Sequence, residues 1–276
     1  MNVEGNKLKT IEYIKLDKSF LHNNNNNEIC ILKNDIDYYF KLNLKKTCDK
    51  VVVFSNGAAD RKKSELPIFM RHSWSDEVNA SCIYVDDRTI HDSRLMIGWG
   101  IGRKNVHHLN EVGMILRKIL LLLEIPSNKS FYYGSSAGGM MAAYFSIKHK
   151  CSKAIVNNPQ MITSNYMDGK ALSFIRNNFF KEYSQEDFIE RFKDRLSIPY
   201  IIKEDEYIPR MLYILNKLSE TDYECQYLPF IKELDDSGLD ASNIEYLLYN
   251  NKRLGHNPLP KERTIKIINA VLEGLF

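Results

Sequence analysis

Phe131-Tyr132-Tyr133-Gly134-Ser135-Ser136-Ala137-Gly138-Gly139 is the stretch that decides how the chain folds. A short aromatic run with the composition of a buried strand stops at Gly134. Small and helix-forming residues, 137–147, start directly after it. Between them stands Gly134-x-Ser136-x-Gly138, in the order strand, tight turn, helix. A serine on such a turn has a strained backbone and a hydroxyl that projects above the sheet. A β-carbon two residues before or after it would collide with the neighbouring strand or helix, so glycine fits there. The backbone N–H of Ala137, at the N-terminus of the new helix, would point to where an oxyanion forms. The plainer alternative is a glycine-rich turn used only for packing.

Upstream, Val51-Val52-Val53-Phe54-Ser55 is a continuous run of the kind found in strands buried on both faces. It ends in Asn56-Gly57-Ala58-Ala59. The loop after such an early strand is the expected source of a second oxyanion N–H, which makes Asn56 and Gly57 candidates. Arg61, Lys62, Lys63, Arg71 and His72 follow. A cationic cluster beside the turn would hold an anionic substrate or phosphate groups, although most such runs are solvated faces. Cys82-Ile83-Tyr84-Val85 is the next buried strand. Gly98-Trp99-Gly100-Ile101-Gly102 places three glycines around a tryptophan, which suggests close backbone packing on the rim of a site, with Trp99 and Arg103 as candidate substrate contacts. It does not match G-x-G-x-x-G and does not join a strand to a helix, so a dinucleotide loop is rejected. Residues 105–124 carry apolar side chains every three or four positions and precede Pro126, the signature of an amphipathic helix. His107 and His108 are adjacent in it and lack the i, i+4 spacing of a metal pair.

Downstream, Lys153-Ala154-Ile155-Val156 reads as a strand ending in Asn157-Asn158-Pro159-Gln160. Residues 161–197, rich in aromatics and charge, are expected to be helical and to form a lid. Pro199-Tyr200-Ile201-Ile202 reads as the next strand and ends in Lys203-Glu204-Asp205-Glu206. A carboxylate there would hold a catalytic imidazole in the right tautomer. Asp205 is favoured over Glu204 and Glu206, since aspartate is the commoner acid and the longer glutamates reach solvent. Residues 208–217 and 226–234 read as helices, Ile244-Glu245-Tyr246-Leu247-Leu248-Tyr249 as the last strand, and 261–275 as the closing helix. Leu254-Gly255-His256-Asn257-Pro258 lies in the loop between them, where His256 would be the general base.

Residues 8–47 read as three short strands, Ile11-Glu12-Tyr13-Ile14, Ile29-Cys30-Ile31-Leu32 and 38–44, forming an antiparallel edge to a parallel sheet. The run Asn23-Asn24-Asn25-Asn26-Asn27 is expected to be an exposed loop. With 276 residues, 44% hydrophobic and 26% charged, the chain suits one α/β domain over 1–276, with 1–48 as a β extension and 161–197 as a helical insertion. A net charge of +3 gives no argument for nucleic acid. Five scattered cysteines without metal spacing read as reduced thiols in a cytoplasmic protein. Residues 1–9 are polar and lack the apolar segment of a signal peptide, and the longest apolar run, 119–123, is too short to span a bilayer.

Serine, acid and histidine arrive in that order, each after a strand, which is the chain order of α/β-hydrolases. Residues from roughly 50 to 276 resemble that superfamily: a mostly parallel sheet with helices on both faces. A narrower resemblance rests on Gly134-Ser135-Ser136-Ala137-Gly138-Gly139, Asn158-Pro159-Gln160, Gly255-His256-Asn257-Pro258, Asp87-x-Thr89 and Gly98-Trp99. These look like bacterial polysaccharide and glycoprotein O-acetyltransferases of α/β-hydrolase type, including capsule-modifying enzymes and the acetyltransferase of the accessory Sec system. The resemblance implies acetyl transfer from acetyl-CoA to a glycan hydroxyl through Ser136, without a metal, by a protein peripheral to a membrane-bound polysaccharide assembly. A carboxylesterase or deacetylase would differ only in the final acceptor. A non-catalytic scaffold in a polysaccharide or secretion assembly is the third reading; the set Ser136, Asp205 and His256 speaks against it.

Overall fold

A computed structural model describes residues 8–166 and 169–276. Residues 1–7, and with them most of the polar N-terminal stretch read as free of a targeting segment, lie outside the described residues, as do positions 167 and 168 of the helical insertion.

The chain begins with β1 (Lys9–Glu12), helix α1 (Lys18–Asn23), and the strands β2 (Glu28–Lys33) and β3 (Ile36–Asn43). Then come β4 (Val51–Ser55), β5 (Ser81–Val85), α2 (His108–Leu122), β6 (Ser130–Ser136), α3 (Ala137–Lys148) and β7 (Lys153–Pro159). Four short helices follow: α4 (Lys170–Phe179), α5 (Gln185–Arg191), α6 (Lys193–Leu196) and α7 (Ile198–Glu204). The chain closes with β8 (Arg210–Asn216), a π-helix (Thr221–Tyr227) continuing into α8 (Leu228–Ser237), β9 (Ile244–Tyr249) and α9 (Lys261–Leu272).

One nine-stranded sheet results, in the order β1-β2-β3-β5-β4-β6-β7-β8-β9. From β5 to β9 every neighbouring pair is parallel. β3 is antiparallel to both β5 and β2, while β1 runs parallel to β2, so the N-terminal edge is mixed. β4 shows why its sequence is apolar throughout. Val51 and Val53 face the core under α2 and α3, and Val52 and Phe54 face a second core under α9. A strand covered by helices on both faces has no solvent side. This is an α/β-hydrolase-like architecture.

Two of the expected elements exchange places. The expected strand at Pro199-Tyr200-Ile201-Ile202 is helix α7: Ser197 caps it by accepting from Tyr200 N–H, and Pro199 occupies its first turn. The expected helix at 208–217 is strand β8, whose Met211-Leu212-Tyr213-Ile214-Leu215 is buried on both faces. A continuous apolar run satisfies helical spacing and strand spacing alike. The asparagine run is not a free loop either. Asn24 is buried, and the Asn25 amide donates to Leu44 O (2.8 Å) and accepts from Leu44 N–H (2.6 Å).

Candidate functional site

The parallel strands end on one side of the sheet, and the turns there bring the site together. At the β6–α3 junction Ser136 has φ 56° and ψ −127°, a backbone region that non-glycine residues seldom adopt. The neighbouring glycines are sterically required. A β-carbon on Gly134 would lie 1.9 Å from Gly138 O, and one on Gly138 would lie 2.6 Å from Ser55 O at the end of β4. The turn therefore packs helix backbone directly onto two strand ends. Ser136 itself is half-buried, between the buried residues 130–135 of β6 and 137–147 of α3.

His256, in the loop between β9 and α9, places Nε2 2.9 Å from Ser136 Oγ. Its Nδ1 lies 2.7 Å from Asp222 Oδ1 and 2.9 Å from Oδ2. A carboxylate only accepts, so the imidazole proton is on Nδ1 and Nε2 accepts from the Ser136 hydroxyl. Asp222 stands on the π-helix after β8 and is 2% exposed. The Ser219 hydroxyl donates to its Oδ2 at 2.6 Å.

Asp205, expected in the place that Asp222 takes, is a correction. It caps the C-terminus of α7, before β8 rather than after it, and both its carboxylate oxygens accept from Lys148 Nζ at 2.8 Å. Lys148 is the last residue of α3, whose first residue follows Ser136, so Asp205 is tied to the opposite end of that helix from the serine. Glu204 and Glu206 flank Asp205 at that same end. The error follows from the exchange of helix and strand just described. With β8 placed at Arg210–Asn216, the acids after the strand are Glu220, Asp222 and Glu224, and Asp222 is the buried one of the three.

Ala137 begins α3 and is buried; its N–H has no partner within its own helix. Gly57 abuts the serine: a β-carbon on it would lie 3.3 Å from Ser135 O and 3.8 Å from Ser136 Cβ. Asn56 is buried and its amide is committed, donating to Ile68 O and accepting from Met70 N–H at 2.9 Å.

The candidate substrate contacts separate. Arg61 donates to Ile90 O (3.2 Å), Lys62 is exposed, and Arg103 pairs with Asp92. Trp99 is not on a rim: it is fully buried and donates from Nε1 to Gln160 Oε1 at 2.7 Å, while Gln160 N–H donates to Ser136 O. Arg71 is nearest the turn. Its Nη2 donates to Ser135 Oγ at 2.6 Å and its guanidinium stacks over Tyr133 and Trp74. Among the described residues it has no carboxylate partner, and its Nη1 is buried without an acceptor. A hollow of about 530 Å³ lined by Asn251, Arg253, Leu254, Pro260 and Arg263 opens beside the His256 loop.

The helical insertion grows out of the end of β7. Ile162 and Ser197 form a β-bridge that closes its base, and Thr163 Oγ1 donates to Leu196 O. Its aromatics mostly serve its own small core: Phe180, Phe188 and Phe192 meet at ring separations of 4.7–5.6 Å. Among the described residues no group of His, Cys, Asp and Glu has the arrangement of a metal site, and no helix is long and apolar enough to cross a membrane.

No family profile and no curated protein matches the sequence. Solved structures do match in shape. The capsule O-acetyltransferase of Neisseria meningitidis serogroup A superposes with a TM-score of 0.62 at 13% identity, over 86% of this chain and 95% of that one. Carboxyl esterase 2 from the fungus Tuber melanosporum gives 0.59 at 15% identity, over 90% and 85%. A chain of the glycosylation-associated Gap123 complex from Streptococcus agalactiae gives 0.61 at 13% identity, over 81% of this chain and 42% of that one. At such identities the likeness is one of fold, and the fold it shows is that of the α/β-hydrolases.

Proposed function

We propose that the protein transfers an acyl group through Ser136, and that the reaction is O-acetylation of a glycan by acetyl-CoA. The observation that carries this reading is the unbroken chain of hydrogen bonds Ser136–His256–Asp222 on a strained strand-to-helix turn. His256 Nε2 takes the Ser136 proton as Oγ attacks the thioester carbonyl. Asp222 holds the imidazole and stabilises the charge it acquires. The N–H of Ala137, with the backbone of Gly57 opposite, receives the oxyanion. CoA leaves with the proton from His256. A sugar hydroxyl, deprotonated by His256 in turn, then takes the acetyl group and frees the serine.

Acetyl-CoA is preferred as donor because the fold neighbour that acts on a capsule has a variant in complex with CoA. Basic groups fit a charged ligand: Arg71 beside the turn, and Arg253 and Arg263 in the hollow lined by the His256 loop. The insertion over residues 161–197 would act as the lid that favours a sugar hydroxyl over water. A carboxylesterase would use the same acyl-serine and release it to water.

The test is incubation with acetyl-CoA, read by intact-protein mass spectrometry and by free CoA release, with and without acidic and neutral glycans. Wild type should gain one acetyl group on Ser136 and turn over faster when an acceptor is added. Ser136→Ala should gain none, while Ser135→Ala should still acetylate. Fast hydrolysis of nitrophenyl acetate, indifferent to every glycan, would favour the esterase. Acetylation of Ser136→Ala at the wild-type rate would remove the mechanism altogether.

A further inference from the structure

His256 and Asp222 reach each other from segments that follow different strands: Asp222 from the π-helix after β8, and His256 from the irregular loop after β9. What ties the His256 loop to the chain leading into the Asp222 helix is a pair of fully buried side-chain amides at the ends of β7 and β8. Asn216, the last residue of β8, donates from Nδ2 to Asn251 O (2.8 Å) and Gly255 O (2.9 Å), and accepts at Oδ1 from Asn251 N–H (2.9 Å) and Leu218 N–H (3.3 Å). Its backbone N–H donates to Asn158 Oδ1 at 2.9 Å. Asn158 in turn donates from Nδ2 to His256 O (3.1 Å) and Asn257 O (3.3 Å). Both residues are 0% exposed, and Asn158 holds a positive φ of 44° to make these bonds.

We infer that Asn216 and Asn158 are positioning residues that set the register between the acid and the base. The inference rests on the acyl-serine reading above. Asn216 is the common member: its one carbonyl oxygen holds Leu218, at the start of the turn that carries Ser219 and Asp222, and Asn251, at the start of the loop that carries His256. Its NH₂ group closes that loop at Gly255, one residue before the histidine. Asn158 fixes the histidine's own carbonyl. Each amide uses donor and acceptor together, which no apolar residue of similar size does and which aspartate does only in part. A buried network of this kind is rigid when complete and costly when one member is lost.

The experiment compares Asn216→Asp with Asn157→Ala. Asn157 is an equally buried amide on the same end of β7, but it ties Leu259 N–H and Ile214 O rather than the histidine. Three quantities are read: thermal midpoint, kcat and KM for nitrophenyl acetate, and the low-field NMR resonance of the His256 Nδ1 proton held by Asp222. Asn216→Asp should lower kcat on the order of a hundredfold, the cost of a misplaced group, with KM unchanged and the low-field proton lost or exchanging fast. Asn157→Ala should lose thermal stability and keep both the proton and a kcat within a few fold of wild type. An Asn216→Asp protein with the proton intact and the kcat of Asn157→Ala overturns the inference.

Should Asn216→Asp not fold, Asn158→Ser carries the same comparison with the same outcomes. The wild type offers a further check: the side-chain NH₂ groups of Asn216 and Asn158 should exchange with solvent as slowly as core amides, and exchange at the rate of exposed amides refutes the clamp. Labelling by a fluorophosphonate separates the two readings. If wild type does not label at Ser136, the acyl-serine reading has failed; if wild type labels and Asn216→Asp labels equally fast, the clamp has.

Discussion

Ser136 keeps a backbone conformation that costs on the order of 1–3 kcal/mol and is held there by what surrounds it. The hydroxyl it presents is useful only with a partner, and His256 is that partner at 2.9 Å. The aspartate found at the third position and the one expected there contrast sharply. Asp222 is 2% exposed and bonded to His256 and Ser219; Asp205 is paired with a lysine on the far side of a helix. Asp222→Asn should therefore lower kcat by about 10⁴, since the amide favours the wrong imidazole tautomer. Asp205→Asn should leave kcat unchanged and cost at most about 1 kcal/mol, the worth of a partly exposed ion pair. Steady-state rates and urea midpoints of the two variants decide it; equal losses of activity would return the role to Asp205.

At the level of elements, the sequence made the parallel core and the serine turn legible because their signals are local. Val51-Val52-Val53-Phe54-Ser55 can be little other than a buried strand, and glycines at 134 and 138 are required by contacts that a β-carbon would violate. His256 is legible because it stands beside Gly255 in the loop that follows the last strand, third in the order serine, acid, histidine. Asp222 is not legible because the strand before it, Arg210–Asn216, is apolar on both faces and so has no period to read. The start of α7 is marked by Ser197 as its cap and Pro199 in its first turn, a combination that favours helix over strand. Glycines around an aromatic mark close packing without saying which side is solvent, and the Trp99 ring is buried against Gln160 rather than set on a rim.

Helix α2 makes a prediction about pH. His108 is buried at its first residue, beside the Tyr38 hydroxyl, and burial pushes its pKa from 6.5 down to about 3. Burial likewise holds His107 well below its ordinary value. The unfolded chain takes up protons on these rings below pH 6.5 and the folded chain does not, so stability falls as pH drops from 6.5 toward 3. Asp87 opposes this, since burial raises its carboxyl to about 6 and the fold then gains as pH falls from 6 toward 3.8. Melting temperatures by circular dichroism should decline below pH 6.5, and His108→Gln should decline less steeply; equal slopes would contradict the assignment. The insertion makes a second prediction. Phe188 is the fully buried centre of its aromatic core, so Phe188→Ala should destabilise that module by about 3–5 kcal/mol. If the module is a lid, the ratio of acetyl transferred to glycan over acetyl lost to water should fall, with acetyl-serine formation kept. An unchanged ratio would mean that the module does not exclude water.

Over the whole molecule, the charge is slight, +3, but its distribution is not even. Residues 252–266 contain Lys252, Arg253, Lys261, Arg263 and Lys266 against Glu262, and two of these arginines line the hollow beside the His256 loop. Such exposed groups act on a charged ligand through solvent, and salt screens them over about 8–10 Å at physiological strength. Raising salt should therefore raise KM for acetyl-CoA, or for an acidic acceptor, with little change in kcat. Nitrophenyl acetate, which is neutral, should show no such dependence. A salt-independent KM for acetyl-CoA would place its phosphates elsewhere.

The π-helix that carries Asp222 has a consequence for the phase of the chain on either side of it. A turn of this kind is an α-helical turn with one residue too many. Upstream of the surplus residue, Asp222 is pinned to His256; downstream, Gln226 is pinned to Ile162 by two bonds, Ile162 N–H to its Oε1 at 3.0 Å and its Nε2 to Ile162 O at 3.1 Å. An ordinary helix turns about 100° per residue, so removing one residue between them would swing one of these side chains by that angle while the other stayed in place. The wide turn thus serves as a spacer. It lets one continuous helix satisfy both the His256 loop and the root of the helical insertion, and its length, rather than its composition, is what an insertion or deletion would spoil.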